Sequence, residues 1–194
     1  MNLNPQEKSF LERLPYPAGL MKWLYKSPIL FYRLGLGFLT GRIFMVMTTV
    51  GRKSGQPRRT AIEFHEFKSR NYVFSAWGAK FDWYHNLSSN PYITIHTLRG
   101  AKSVVAHTLK SDAELAEAFE YAMSNPSMRM VLKSMGFALT LDQFIAQKDH
   151  FTFVTFDPTG LSTPEPLKVD LWWVWLVFAT LVVWLLATRI GTAP

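Results

Sequence analysis

The chain has 194 residues, 48% hydrophobic and 15% aromatic, which suits one well-buried domain and excludes a disordered protein. Its formal net charge of +7 favours anionic partners: nucleic acid, acidic lipid headgroups, or a phosphorylated or carboxylated small molecule. It contains no cysteine, which excludes disulfides, thiolate nucleophiles, zinc ribbons and cysteine-ligated iron–sulfur clusters.

Residues 1–41 read as N-terminal amphipathic helices. The first 17 residues carry Glu7, Glu12 and three prolines, a pattern unlike a secretory signal. From Leu20 to Leu34 a helical wheel gathers Leu20, Leu24, Phe31 and Leu34 on one side and Lys22, Lys26 and Arg33 on the other. Such a helix lies in a headgroup plane or packs on the domain core as two short helices, with Pro28 as the break. Both readings are open from the sequence.

Residues 42–156 read as the main domain. Strand candidates are 43–49, 58–67, 72–77, 92–98, 103–108 and 151–156, with turn signals between several of them. Helices are expected over 82–89, 111–124, 128–137 and 141–147. The second of these opens with Ser111 followed three residues later by Glu114, a capping box. About six strands with helices inserted late predict a small β-barrel with peripheral helices. Residues 157–169 read as a linker rich in proline and small polar residues. Residues 170–190 read as a single-pass transmembrane anchor, because Leu171 to Thr188 carries no charge and crowds Trp172, Trp173 and Trp175 at its start. The expected location is the cell membrane, with the domain on the cytoplasmic side.

Two segments carry candidate chemistry. The first, TTVGRKSGQPRRT (Thr48 to Thr60), places Arg52, Lys53, Arg58 and Arg59 around a turn. Gly51 and Gly55 permit unusual backbone angles, so Arg52, Lys53, Ser54 and Arg58 can surround an anion. A solvated basic loop, an anion site and a nucleic-acid contact are all compatible with the charge. Nucleic acid would favour cations spread over a face with interleaved aromatics, and here the charge is local. The second segment, SAWGAKFDWYHNL (Ser75 to Leu87), ends a strand in a small-residue loop and opens a helix with aromatics. It suits either an aromatic core cluster or the wall of a pocket for a flat ligand, in which Gly78 admits a ring, Trp77 or Trp83 stacks on it and Asn86 hydrogen-bonds. The five histidines form no HExxH or HxH pair, so no metal site is expected. GxSxG, GxGxxG and Walker patterns do not occur.

Together, GRKSGQPRRT and SAWGAKFDWYHNLSSNP resemble the deazaflavin-dependent nitroreductase and quinone reductase family, a branch of the split β-barrel flavin-binding proteins related to pyridoxamine phosphate oxidases. The resemblance runs from about Arg42 to Phe156. It implies a mainly β, α+β fold: a split β-barrel with peripheral helices. It implies coenzyme F-420, an 8-hydroxy-5-deazaflavin with a phosphodiester and glutamate tail; flavin mononucleotide is the alternative, used by some relatives. By the resemblance, Arg52, Lys53 and Arg58 hold the phosphate and carboxylate tail, and Ser54 and Gln56 hydrogen-bond to the same groups. Thr60 and Ala61 lie along the ring system, Ser75, Ala76, Trp77 and Gly78 contact the deazaflavin, and Trp83 and Asn86 close the pocket. The short loop carrying Trp77 departs from the longer, lysine-containing loop of many nitroreducing members. The implied chemistry is hydride transfer to a lipid-soluble acceptor such as a quinone, with Ser75 and Tyr84 as catalytic candidates and His65 as a further proton source. Membrane lipid and a second copy of the chain are the implied macroscopic partners. The rival readings are a flavin mononucleotide-dependent reductase of the same shape and a non-enzymatic, membrane-tethered module that binds a fatty acid or other lipid.

Overall fold

The computed structural model describes residues 19–75, 81–134 and 140–190 of the chain. Seven strands form its centre: β1 (Phe44–Val50), β2 (Pro57–Glu63), β3 (His65–Phe67), β4 (Arg70–Ser75), β5 (Tyr92–Thr97), β6 (Gly100–Thr108) and β7 (Thr152–Pro158). They make one antiparallel sheet in the order β2-β1-β5-β6-β7-β4-β3. The sequence FMVMTTV of β1 has no charge, and its five middle residues are buried, so the strand is covered on both faces. Met45, Met47, Val73, Ile93, Val104 and Val154, from β1, β4, β5, β6 and β7, meet in one cluster. Inward side chains from so many strands touch only if the sheet curls, and β2 approaches β4 across the remaining seam. The result is the expected mainly β barrel with helices around it.

The helices are α1 (Gly19–Arg33), α2 (Gly37–Thr40), α3 (Asp82–Ser89), α4 (Asp112–Ser124), α5 (Pro126–Ser134), α6 (Leu141–Ala146) and α7 (Trp173–Ile190). α1 runs through Pro28 as one helix, so the reading as a pair of short helices is not seen. Its C-terminal half is held on the outer face of β1, where Ile29 and Tyr32 pack with Val46 and the Tyr32 hydroxyl donates to Phe44 O at 3.2 Å. The capping box of α4 forms as the sequence predicts: Glu114 N donates to Ser111 Oγ, and the Glu114 carboxylate accepts from Ser111 N. Helices α4, α5 and α6 cover Tyr72 and Phe153 on the outer face of β4 and β7.

Several bounds differ from the sequence reading; β4 starts at Arg70 and β7 ends at Pro158, each two residues beyond the expected bound. The strand expected over 58–67 is two strands, because Phe64 leaves β2 and its N–H donates to Ile43 O at 3.0 Å. β6 starts at Gly100, whose φ of 95° closes the two-residue turn Leu98–Arg99. Of the helix expected over 128–137, the structure shows 126–134, and residues 135–137 lie outside the described residues.

The segment read as a linker is laid along the sheet. Thr159 N donates to Ser103 O, Thr163 Oγ1 shares hydrogen bonds with Thr94 Oγ1 and Ser103 Oγ at 2.8 and 2.7 Å, and Leu167 is buried against Tyr32 and Val46. It acts as a strap over β5, β6 and β1.

The expectation of a membrane-crossing anchor over 170–190 is corrected: among the described residues no helix is long and apolar enough to cross a membrane. Helix α7 begins only at Trp173, and Arg189 falls in its last turn. Its uncharged helical stretch is about 24 Å long at about 1.5 Å per residue, short of a hydrocarbon core of about 30 Å. The residues just before it are claimed by α1. Arg33 Nε and Nη2 donate to the two carboxylate oxygens of Asp170 at 2.7 and 2.9 Å, Leu171 N donates to Arg33 O, and Trp175 Nε1 donates to Leu34 O at 2.8 Å.

Candidate functional site

The basic hairpin sits at one end of the barrel. Gly51 N donates to Gln56 O, and Ser54 N and Gly55 N donate to Gly51 O, which closes the six-residue loop 51–56 between β1 and β2. Gly55 has a φ of 66°, the left-handed backbone that this loop needs. Gly51 matters for a different reason: a Cβ there would lie 2.7 Å from Ser54 Oγ and 3.1 Å from Gln56 O, so the Ser54 side chain and the loop backbone would have to shift. Residues Arg52 to Arg59 are all exposed, so the positive charge stands in solvent.

Alternation along β2 sorts its residues. Ile62 packs into the barrel interior, and Thr60 is opposite Met47, which is also interior. Arg58, Thr60 and Ile62 therefore share the inner face. Ala61 is opposite Val46, which packs on α1, so Arg59 and Ala61 belong to the outer face. Thr60 and Ala61, read from the sequence as neighbours along one ring, lie on opposite sides of the sheet.

Helix α3 closes the same end of the barrel. Trp83, Asn86 and Leu87 are its buried residues, and Trp83 and Leu87 join the interior cluster. Asn86 is the joint between helix and hairpin. Its Oδ1 accepts from Arg52 N at 3.1 Å and from Arg52 Nη1 at 3.2 Å, and its Nδ2 donates to Thr49 Oγ1 at 3.4 Å. Arg52 Nη2 also donates to Asp82 Oδ1 at 2.9 Å, and Nη1 to Asp82 O at 3.4 Å. Arg52 thus fastens the hairpin to the first turn of α3. A ligand that uses its guanidinium competes with these contacts.

The other hairpin groups are arranged differently. Arg58 Nη2 donates to Ser54 Oγ at 3.3 Å, and Gln56 N donates to the same oxygen at 3.3 Å. These weak, exposed contacts leave the cation on the inner side of the hairpin accessible. Ser75 ends β4 on the face of Val73, so it is buried at the inner end of its strand. Tyr84 stands edge-on to Trp83, with ring centroids 5.9 Å apart, and Phe81 stacks on Trp83 at 6.4 Å. Ala76, Trp77 and Gly78 lie outside the described residues.

His65 is separated from this group. It pairs with Tyr72 in the β3–β4 ladder and its ring lies 5.6 Å from that of Tyr121 on α4. Burial lowers its pKa, opposed by Glu63. It sits on the outer face, with Ser75 on the inner one. Among the described residues no group of three or more histidine or acidic side chains could hold a metal ion.

Sequence reasoning missed Thr49 and Asp82. A carboxylate in the first turn of a helix was the available signal for Asp82. Thr49 is found only through its contact with Asn86, 37 residues away.

The sequence model of the family described as F420H(2)-dependent quinone reductase matches residues 33–132, just over half of the chain, and takes in both the hairpin and α3. No curated protein matches the chain. Among solved structures, the chain is similar to an F420-H2 dependent reductase (FDR-A) at 16% identity and a TM-score of 0.41, over 59% of this chain and 94% of that one. It is similar to HutZ, the heme storage protein from Vibrio cholerae, at 15% identity and a TM-score of 0.44, over 75% of this chain and 98% of that one. A putative pyridoxamine 5'-phosphate oxidase from Listeria innocua matches at 14% identity and a TM-score of 0.41, over 63% of this chain and 89% of that one.

Proposed function

The chain belongs to the F420H(2)-dependent quinone reductase family, and from that premise we infer an oxidoreductase that uses coenzyme F-420 to reduce a quinone at a lipid surface. The observation that carries this reading is the family match over residues 33–132, because it covers the hairpin and the helix that close one end of the barrel.

The residues present suit the coenzyme. Exposed Lys53 and Arg58 offer cations to a phosphate and carboxylate tail, with Ser54 and Gln56 as neutral donors beside them. Thr60 on the inner face and Trp83 behind it offer a wall for a flat ring. When bound, the coenzyme supplies the hydride. The chain's part is to orient and to exclude water. Asn86 and Arg52 set the hairpin against α3, and Trp83 fills the barrel end beneath. Ser75 and Tyr84 are the hydroxyls we assign to proton delivery.

The lipid surface is inferred from α7. Every residue from Leu176 to Thr188 is exposed. Eleven large apolar side chains between Trp173 and Leu186 stand at least one-third open to solvent. Leaving them in water costs on the order of 10 kcal/mol, at about 1 kcal/mol for each half-exposed side chain. Lipid removes that cost. A net charge of +7 suits the anionic cytoplasmic leaflet of the cell membrane, where a quinone is also dissolved.

The test is a titration of the full chain in mild detergent, followed by tryptophan quenching, with coenzyme F-420 and separately with flavin mononucleotide. Saturable binding of the deazaflavin, then quinone reduction by its reduced form, is expected. Preference for flavin mononucleotide, or binding of neither, refutes the reading.

A further inference from the structure

We propose that the barrel itself rests on an anionic bilayer, through a patch at the end of the sheet opposite the basic hairpin. The proposal rests on the reading of α7 as lipid-bound. Four large apolar side chains are exposed there: Phe38 (60%) and Leu39 (58%) on α2, Ile43 (54%) before β1, and Leu98 (43%) in the β5–β6 turn. They are brought together by backbone contacts: Leu98 N donates to Gly41 O at 3.1 Å and Ile43 N to Thr40 O at 3.0 Å. Each lies in a tight turn or short helix that holds it out of the sheet, so none has a place in the interior.

The patch continues into α7. Trp175 Nε1 bonds Leu34 O, and Gly35 faces Val169, so α2 follows directly on the point where α7 is clamped to α1. Trp172, just before α7, and Trp173, its first residue, are 57% and 50% exposed. Tryptophan is the side chain most at home at a lipid–water boundary. Exposed Arg42, Arg99 and Lys102 rim the patch. Two acids lie nearby: Glu66 pairs with Arg99 at 2.9 Å, and Glu63 lies 3.6 Å from His65, so Arg42 and Lys102 carry the positive charge of the rim. Cations around an apolar centre fit acidic headgroups above acyl chains. A second copy of a chain with net charge +7 is the poorer occupant, because the two rims repel.

The placement has a functional consequence. β1 runs from Phe44 beside the patch to Val50 beside the hairpin. Resting on the patch turns Lys53 and Arg58 away from the headgroups. An anionic coenzyme then enters from water, without competition from lipid phosphate for the same cations, and a quinone leaves the acyl region to meet it at the hairpin end of the barrel.

The chain has no cysteine, so single substitutions give clean labelling sites. Phe38→Cys, Val183→Cys on α7 and Asp142→Cys on α6 are each labelled with an environment-sensitive nitrobenzoxadiazole dye in the full chain. The protein is diluted from detergent into vesicles of equal phosphatidylglycerol and phosphatidylcholine. Blue-shifted emission at positions 38 and 183, and none at 142, is expected. A shift at 183 without one at 38 overturns the proposal and leaves the lipid-bound α7 intact. No shift at 183 overturns both. A shift at 38 that grows with protein concentration in the absence of vesicles identifies a second copy on the patch and overturns the bilayer as occupant. Double substitution Phe38→Ser with Leu39→Ser should lower vesicle partitioning about five- to ten-fold; unchanged partitioning counts against the patch.

Discussion

Replacing Asn86 by alanine tests whether the joint between hairpin and α3 holds the site together. Asn86 is 6% exposed, so its amide has little water to fall back on. The substitution removes the acceptor for Arg52 N and for one guanidinium nitrogen, and the donor to Thr49 Oγ1. A lost hydrogen bond costs about 1 kcal/mol, and a buried group left without its partner about 1–3 kcal/mol. The sum for Asn86→Ala is about 2–4 kcal/mol. For a domain of this size that lowers the melting temperature by roughly 5–12 °C. Asp82→Ala is the comparison. It removes the other anchor of the same arginine, but Asp82 is 81% exposed, and such surface pairs contribute less than about 1 kcal/mol. Melting in mild detergent, followed by circular dichroism, reads both variants. Asn86→Ala should also weaken coenzyme binding, measured below its own melting temperature, because the hairpin loses its fixed position over the barrel end. Equal costs for the two substitutions, or a loss under about 0.5 kcal/mol for Asn86→Ala, would show that the hairpin is held by its own turn and that α3 contributes nothing to it.

The hairpin cations should separate by face. Lys53→Ala and Arg58→Ala are each expected to weaken coenzyme binding about ten-fold or more at low salt, since a charge-assisted hydrogen bond contributes about 1.5–3 kcal/mol. Arg59→Ala, on the outer face, should leave affinity unchanged; equal losses at all three positions would refute the sorting. Partial burial pushes the Glu114 carboxyl up, but hydrogen bonds from Ser111 and His107 outweigh it and hold its pKa down to about 2. A depressed carboxyl pKa contributes stability that is complete above the unfolded value of about 4.5 and is lost as pH falls toward 2. Glu114→Gln should flatten acid unfolding in that window, read by denaturant midpoints from pH 6 to 2.5. Burial lowers the pKa of His96 against a hydrogen bond to the Leu167 backbone, and its Nδ1 is buried without a partner. Its stabilising effect is present above the unfolded value of about 6.5 and is lost as pH falls through the lower folded value. His96→Phe keeps a ring against Tyr32, 4.8 Å away, and should shrink the stability loss between pH 7 and 5; an unchanged pH profile would place the titration elsewhere.

Local features were legible in the residues themselves. The apolar, β-rich runs at 92–98 and 151–156, the glycine and proline punctuation of the hairpin, and the Ser111–Glu114 capping box each work within a few residues, so local sequence determined β5, β7, the hairpin and the start of α4. The family motifs are also contiguous, and they led to the coenzyme before any fold was known. What only the tertiary structure decided depends on distant partners. Arg52 looks like a free anion binder until Asn86 and Asp82, 34 and 30 residues away, take its guanidinium. Thr60 and Ala61 look equivalent until the burial of Met47 and Val46 assigns them to opposite faces, because a strand's period of two says which residues alternate but not which set faces inward. The apparent linker becomes a strap because Thr94 and Ser103 offer it hydroxyls across the sheet. An apolar run likewise reads the same by composition wherever its helix begins; the structure starts α7 at Trp173, with Leu171 N bonded instead to Arg33 O, 138 residues back along the chain.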